Sequence, residues 1–328
     1  MKKKIALVTG GYSGEAVISY KSAKTVEANI NKDHYEVYVI DIARDGWWYT
    51  AEGQDKIAVN KADFSINVAG VAIHFDCILF CIHGTPGEDG KLQGYFDMLQ
   101  IPYTSCDAAT SAITFNKRYT VAVAAFSGIA VAKSMHLFKH TAYSDQEILQ
   151  QLQLPVFVKP NNGGSSIGMS KVSNAIDLLP AIEKAFKEDN QVLVEEYIAG
   201  REFTIGVFKN KEGNIIVLPI TEVIAEKDFF DYEAKYEGKS REITPAQIPG
   251  NWQQQLETTA KNVYAILNCN GIVRMDFIWN EVAQKPYLLE VNTVPGQSEA
   301  SIVPQQVKAM GWSLQEFYTQ LIEAAFNK

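Results

Sequence analysis

The sequence predicts an α/β chain: an N-terminal doubly wound parallel sheet, followed by two further units that mix strands and helices. Three observations predict it. Apolar runs of strand length, KIALVT (4–9), YEVYVID (35–41) and DCILFCIHG (76–84), are separated by a turn and a helical stretch, the β-loop-α alternation of a parallel sheet. Glycine-rich turns, 10–14 and 84–90, follow the ends of two of these runs, where open α/β sheets bind ligands. The chain has 328 residues, 47% of them hydrophobic, more than one core accommodates, since single cores stop growing at roughly 250–300 residues.

In chain order, KIALVT reads as a buried strand, GGYSGE as a turn, and residues 17–30 as a helix. YEVYVID is the second strand, 56–59 and 71–74 are short strand candidates, and DCILFCIHG is a strongly apolar strand running into a glycine-rich loop. The first unit covers residues 1–105. The second, 106–195, holds a helix around 117–126, the strand PVFVKP (155–160), the loop NNGGSSIGMS, a helix after Asn174 and the strand VLVEEYI (192–198). The third, 196–328, reads as strands and turns (REFTIGVF, IIVLPI, GIVRMDFIW, KPYLLEVN) closed by a helix over 314–326. No repeat or low-complexity linker separates the units, so they are expected to pack against one another.

Composition excludes several function classes. A net charge of −8 without a basic run argues against a nucleic-acid backbone binder. The apolar run after MKKK is too short for a signal peptide or a span, and no apolar stretch of about 20 residues follows, so neither membrane insertion nor export is expected. Cys77, Cys81, Cys106 and Cys269 form no CxxC pair, which argues against zinc and for buried thiols in a reducing cytoplasm.

Four constellations carry chemistry. In RMDFIWNEVAQKPYLLEVN, two strands flank a turn near 281–285. Side-chain alternation sends Met275, Phe277, Leu289 and Val291 to a core, and Arg274, Asp276, Glu290 and Asn292 to the other face. A symmetric hairpin sets Asp276 opposite Glu290 and Arg274 opposite Asn292. Three oxygen-bearing side chains in one patch suit Mg²⁺ shared with nucleotide phosphates; the alternative is a solvated strand face with a surface ion pair. TVPGQSEASIVP, next along, is rich in small polar residues and reads as a loop offering backbone N–H groups. VKPNNGGSSIGMSKV (158–172) lacks the Walker spacing, yet its glycines admit phosphate to backbone N–H groups and Lys159 adds a charge; an ordinary surface loop is the alternative. Glu195 and Glu196 end an apolar strand, where carboxylates can accept from an adenine amino group or ribose hydroxyls. Glu15 opens a helix after a glycine turn, either as a favourable acid at a helix N-terminus or as a carboxylate reaching a substrate amine.

Taken in order and spacing, GGYSGE, CIHGTPGEDGKLQG, IPYT, FNK, VKPNNGGSSIGMSKV, VLVEEYIAGREFTI, FFDYEAKY, GIVRMDF and LLEVNTVPG resemble the D-alanine–D-alanine ligases of the ATP-grasp superfamily over nearly the whole chain. The resemblance implies a pre-ATP-grasp α/β domain followed by two ATP-grasp α+β lobes, with ATP and two Mg²⁺ or Mn²⁺ between the lobes. It implies that Lys117 and Lys159 contact phosphates, that Glu195, Glu196, Tyr197 and Ile198 line the adenine and ribose site, and that Glu202 meets the ribose. Ser165 and Ser166 fall in a glycine-rich lid. Lys235 and Tyr236 fall in a second mobile loop, Lys235 reaching the transferring phosphate and Tyr236 latching to Ser165 and Glu15. Asp276, Glu290 and Asn292 match the metal ligands. Glu15 would hold the ammonium of the first D-alanine, Ile18 would pack on its methyl and His83 would sit near its carboxylate. Arg274, the Gly296 N–H, Ser301 and Ile302 would shape the second D-alanine site. Ala16 and Val17 depart from the basic and acidic residues usual after the glutamate, and Asn162 and Gly163 stand where charged residues often occur.

The implied reaction joins two D-alanines through a D-alanyl phosphate, releasing ADP and phosphate, for peptidoglycan precursor synthesis in the cytoplasm; a homodimer is implied as well. A D-alanine–D-lactate ligase and a non-catalytic nucleotide-binding ATP-grasp protein are the alternative readings. The pair Lys235–Tyr236, carried by the family's dipeptide makers, favours the peptide product.

Overall fold

A computed structural model describes residues 2–51, 53, 55–164, 167–225 and 240–327. The first sheet has the order β4-β3-β2-β1-β7. It is built from β1 (Lys3–Gly10), β2 (Tyr35–Ala43), β3 (Gly46–Tyr49), β4 (Ile57–Ala58) and β7 (Cys77–Phe80). β2, β1 and β7 are parallel, whereas β3, which the periodicity did not predict, and β4, within the 56–59 strand candidate, add an antiparallel edge. The pair β5 (Ile66–Val68) and β6 (Val71–Ile73) forms its own two-stranded ribbon.

Both faces of the central strands β1 and β7 are buried, which explains why they read as continuous apolar runs. Ile5, Leu7, Cys77 and Leu79 face α1 (Ala16–Asn29), while Ala6, Val8, Ile78 and Phe80 face α2 (Lys91–Leu99). All four cysteines are buried and free.

The second sheet, β10-β9-β11-β8, is antiparallel throughout. Its strands are β8 (Ser134–Phe138), β9 (Val156–Pro160), β10 (Ser170–Val172) and β11 (Gln191–Glu196). β11 stops at Glu196, so Tyr197 and Ile198 lie just past the strand rather than in it. Helices α3 (Ala108–Phe115) and α4 (Lys117–Phe126) precede this sheet, and α5 (Asp145–Gln151) and α6 (Leu178–Ala185) pack on it. A 3-10 turn over Ala175–Asp177 leads into α6.

The third sheet runs β15-β14-β12-β16-β17, with β13 also on β12. Its strands are β12 (Arg201–Lys209), β13 (Ile215–Val217), β14 (Thr221–Ala225), β15 (Ser240–Ile243), β16 (Ile272–Asn280) and β17 (Lys285–Asn292). A long helix, α7 (Gly250–Ile266), buries Leu256, Ala260, Val263 and Tyr264 against it. Its polar opening, GNWQQQ, hides that stripe from a reading by composition. α8 (Ile302–Ala309) and α9 (Leu314–Phe326) follow. α9 does more than close the third unit. Its Phe317, Leu321 and Ile322 share a core with Ile5 and Leu79 of the first sheet and Phe208 of the third. Each such fully buried side chain stabilises by about 1.5–3 kcal/mol, so α9 couples the two sheets firmly.

Candidate active site

The hairpin of β16 and β17 supplies the site's floor. Its register sets Arg274 opposite Asn292 and Asp276 opposite Glu290, as strand alternation predicts. A β-bulge between Asp276 and Phe277 then shifts the pairing, so that Phe277 meets Leu288. Leu288 is therefore the buried residue (3% exposed), and Leu289 turns to the cleft beside Glu290. The expectation that Leu289 faces the core fails here. An extra residue inserted into one strand re-aims every side chain beyond it, as bulges beside binding sites do.

On this face Arg274 donates to Asp276 twice, Nε to Oδ1 at 3.1 Å and Nη2 to Oδ2 at 2.8 Å, and lies 3.6 Å from Glu290. Thr204 on β12 donates to Asp276 Oδ1 at 2.8 Å, and Asn292 Nδ2 lies 3.5 Å from Oδ2. Burial opposes the Arg274 charge, but Asp276, Glu290 and Glu88 outweigh it and drive the guanidinium further up. Arg274 is therefore a permanent cation in the cleft. Glu290 stands opposite Asp276 and Asn292 turns its amide nitrogen toward it, and among the described residues no third acid, histidine or cysteine joins them. Two carboxylates and an amide suit a hard divalent cation whose remaining positions come from phosphate and water.

Two cavities, of about 460 and 400 Å³, meet over this floor and share Lys117, Gly163, Gly164, Glu202, Asp276 and Glu290. The first lies between the second and third sheets. Lys159 on β9 forms an ion pair with the buried Glu195 on β11. Glu196 accepts from the Lys133 N–H at 2.8 Å, and Tyr197, Ile198 and Glu202 complete this wall. Asn116 caps α4 by accepting from the Tyr119 N–H, and Asn161 accepts from the Arg118 N–H at 2.8 Å. These contacts place Lys117 in the first turn of α4, where its ammonium donates to the Gly163 carbonyl at 2.7 Å. Lys171 stands 4.4 Å over the ring of Tyr197 at the same end.

The second cavity reaches the first sheet. Glu15 sits just before α1, and its carboxylate lies close to both glycine-rich loops. A Cβ on Gly84 would lie 2.6 Å from Glu15 Oε2, and one on Gly164 2.8 Å from Oε1. Gly84 has φ +67°, a conformation that other residues rarely adopt, so its backbone favours glycine there. Ile18, His83, Asn292, Gly296, Ser301 and Ile302 line the same cavity. Ser301 precedes α8 and shares a 2.7 Å hydrogen bond with Ser298, placing the hydroxyls at a helix N-terminus that favours anions.

Every sequence-predicted site residue that is described thus lines one continuous cleft. Ser165, Ser166, Lys235 and Tyr236 lie outside the described residues.

Sequence reasoning missed Glu88 and did not foresee the hydrogen bonds that hold His83. Glu88 accepts from the Gly84 N–H at 2.7 Å and the Val294 N–H at 3.3 Å. Burial, then the nearby Glu15 carboxylate, push its carboxyl up to about 8. An acid within GTPGEDG reads as a solvated turn residue, so the sequence held no signal for it. His83, expected beside a substrate carboxylate, has both ring nitrogens engaged: Nδ1 with the Val294 carbonyl at 2.8 Å and Nε2 with Ser22 Oγ at 3.0 Å. Burial, joined by the Arg274 charge, pushes the imidazole down to about 4 despite the Val294 contact, so it is neutral at physiological pH.

Comparison with known proteins agrees with this geometry. A family model described as "D-ala D-ala ligase N-terminus" matches residues 4–106, and one described as "D-ala D-ala ligase C-terminus" matches residues 118–323. The chain is 46% identical over 321 residues to a D-alanine–D-alanine ligase of Flavobacterium johnsoniae, covering 98% of both chains. Among solved structures, it superposes on the VanG D-Ala:D-Ser ligase of Enterococcus faecalis with a TM-score of 0.88 at 31% identity, covering 99% of this chain and 100% of that one. It also superposes on a D-alanine–D-alanine ligase of Bacillus anthracis complexed with ATP, with a TM-score of 0.79 at 26% identity, covering 99% and 98%. With both halves of the family pattern matched and a relative this similar end to end, the chain belongs to the D-ala D-ala ligase family.

Proposed function

We propose that the protein joins two D-alanines into D-alanyl-D-alanine at the expense of ATP, in the cytoplasm, for peptidoglycan precursor synthesis. The observation that carries the reading is the meeting of the two cavities over Lys117, Asp276 and Glu290. One cavity, of about 460 Å³, is lined by Lys117, Lys159, Glu195, Glu196 and Tyr197. The other has an acid, a permanent guanidinium and a helix N-terminus for amino acids. They join where phosphate would stand.

In this proposal Lys117 and Lys159 bind the phosphates, Glu195, Glu196, Tyr197 and Ile198 hold adenine and ribose, and Glu202 takes the ribose hydroxyls. Asp276, Glu290 and Asn292 would hold two Mg²⁺ or Mn²⁺ ions, which neutralise phosphate charge when bound. Glu15 accepts the ammonium of the first D-alanine while Ile18 packs on its methyl. The carboxylate of that substrate attacks the γ-phosphate of ATP, giving an acyl phosphate and ADP. Ser301 and Ile302 orient the second D-alanine, whose neutral amine attacks the acyl carbon and expels phosphate. Arg274 and the Gly296 N–H face the oxyanion that develops. Ser165, Ser166, Lys235 and Tyr236 belong to the lids that exclude water from the acyl phosphate. The division at residues 105 and 195 and a homodimeric assembly are parts of the same proposal.

The test is ADP release by the purified protein with Mg-ATP and a titration of D-alanine, with the dipeptide identified by mass. Release that requires D-alanine and matches the dipeptide supports the reading. ATP binding with no D-alanine-dependent release would reduce the protein to a nucleotide binder. D-lactate or D-serine outcompeting D-alanine as second substrate would change the product.

A further inference from the structure

We propose that His83 and Glu88 are positioning residues that clamp Val294 from both sides and so set the Gly296 N–H against the reacting carboxyl group. The inference rests on the function proposed above and assigns both side chains a task that needs no contact with substrate.

Val294 is the second residue past Asn292 and two before Gly296. Its N–H donates to Glu88 Oε1 at 3.3 Å, and its carbonyl accepts from His83 Nδ1 at 2.8 Å. A carbonyl can only accept, so Nδ1 carries the proton. The neutral ring then has a bare Nε2, which accepts from the Ser22 hydroxyl at 3.0 Å. Ser22 Oγ in turn accepts from the Gln297 N–H at 3.0 Å. The chain of bonds is therefore directional: Gln297 N–H to Ser22, Ser22 to His83, His83 to the Val294 carbonyl. Glu88 is itself fixed by the Gly84 N–H at 2.7 Å, and the His83 N–H donates to Ser19 at 3.0 Å.

All four holding side chains, Ser19, Ser22, His83 and Glu88, come from the first sheet's α1 and glycine-rich loop. The segment they hold leaves β17 of the third sheet. Only Pro295 separates Val294 from Gly296, and its ring fixes one backbone angle. Orientation imposed at Val294 therefore passes to Gly296 with little slack. The two halves of the reaction site lie on different sheets, and this clamp is what keeps them in register.

The full-length protein tests it in two ways. In ligand-free protein labelled with ¹⁵N at histidine, the His83 ring should remain the neutral Nδ1–H tautomer from about pH 5.5 to about pH 8.5. An Nε2–H tautomer, or a titration near the ordinary histidine value, would overturn the clamp whether or not any variant folds. In kinetics, His83→Gln removes the Nδ1 donor and should cost about 10²-fold in kcat, since an ångström of misplacement costs that much. The KM for ATP should stay within about two-fold, a factor far below one pKa unit of energy. His83→Asn, whose amide can reach the Val294 carbonyl, should recover most of kcat. Unchanged kcat in His83→Gln, a loss expressed in the KM for ATP, or no recovery in His83→Asn would each sink the proposal. If wild-type protein releases no ADP with D-alanine, it is the functional reading that fails, and the tautomer still decides the clamp.

Discussion

Arg274 and Asp276, two residues apart on one face of β16, are joined by two parallel hydrogen bonds of 3.1 and 2.8 Å. The pair does two jobs at once. It aims the guanidinium into the second cavity, and it ties up one edge of the carboxylate proposed as a metal ligand. Arg274→Ala should lower kcat by about 10²–10³-fold, the usual cost of one oxyanion donor, while the Kd for ATP measured by calorimetry changes little. Near-normal turnover would remove Arg274 from the chemistry. Arg274→Lys should rescue poorly, because a single ammonium cannot make the paired bonds.

Lys159 and Glu195 form the corresponding pair on the nucleotide side, both largely buried, with side chains 13% and 8% exposed. Removing one partner of such a pair strands the other as a buried charge, at about 3–5 kcal/mol. Lys159→Met should therefore lose both stability in urea and affinity for ATP. Adding Glu195→Gln should restore stability but not affinity, since the phosphate contact is still missing. A single variant as stable as wild type would show that solvent already reaches the pair.

The bulge in the site's floor separates two adjacent leucines by function. Leu288 lies in the core of the third sheet, so Leu288→Ala should destabilise by about 2–5 kcal/mol with little change in the KM for ATP. Leu289 lines the nucleotide cavity, so Leu289→Ala should raise that KM and leave stability nearly intact. Chemical denaturation and initial rates on the two proteins decide it. The reverse pattern would mean that the register has no bulge.

The same hairpin shows how far the sequence could be read. A period of two correctly brought Arg274, Asp276, Glu290 and Asn292 to one face. It could not reveal the bulge, because Leu288 and Leu289 are chemically identical and only the partner strand chooses between them. The apolar runs of β1 and β7 were legible because both of their faces are buried. The edge strand β3 and the polar-starting α7 were not, since tertiary contact rather than local pattern decides them. From sequence, His83 is expected near a substrate carboxylate, and Glu88 is not singled out. Their actual partners, Ser22 and Val294, are 61 and 206 residues away in the chain.

Metal removal gives a fourth expectation. Asp276 is already engaged by Arg274 and Thr204, so in the proposed metal site Glu290 and Asn292 should carry much of the binding. Chelation by EDTA should abolish ADP release, and Mg²⁺ or Mn²⁺ should restore it. Glu290→Gln should raise the Mg²⁺ concentration needed for half-maximal rate by at least about ten-fold, the loss of one charged oxygen ligand among few. Full activity in EDTA would exclude the assigned ligands.

The buried imidazole of His83 predicts how stability depends on pH. Its pKa in the folded protein, pushed down to about 4 by burial, lies below the ordinary imidazole value of 6.5. The unfolded chain therefore binds a proton near pH 6.5 that the folded chain refuses. The stability contributed by neutral His83 is fully present above pH 6.5 and is lost progressively as pH falls toward 4. A shift of that size corresponds to about 3.5 kcal/mol at most, since each pKa unit is worth about 1.4 kcal/mol. His83→Asn has no such proton to gain, so the gap in unfolding free energy between it and wild type should narrow as the buffer is taken from neutral to acidic. Urea titrations across that window measure the gap directly. A gap that stays constant with pH would mean that His83 ionises equally in both states and is not held as the buried neutral ring that the contacts with Val294 and Ser22 require.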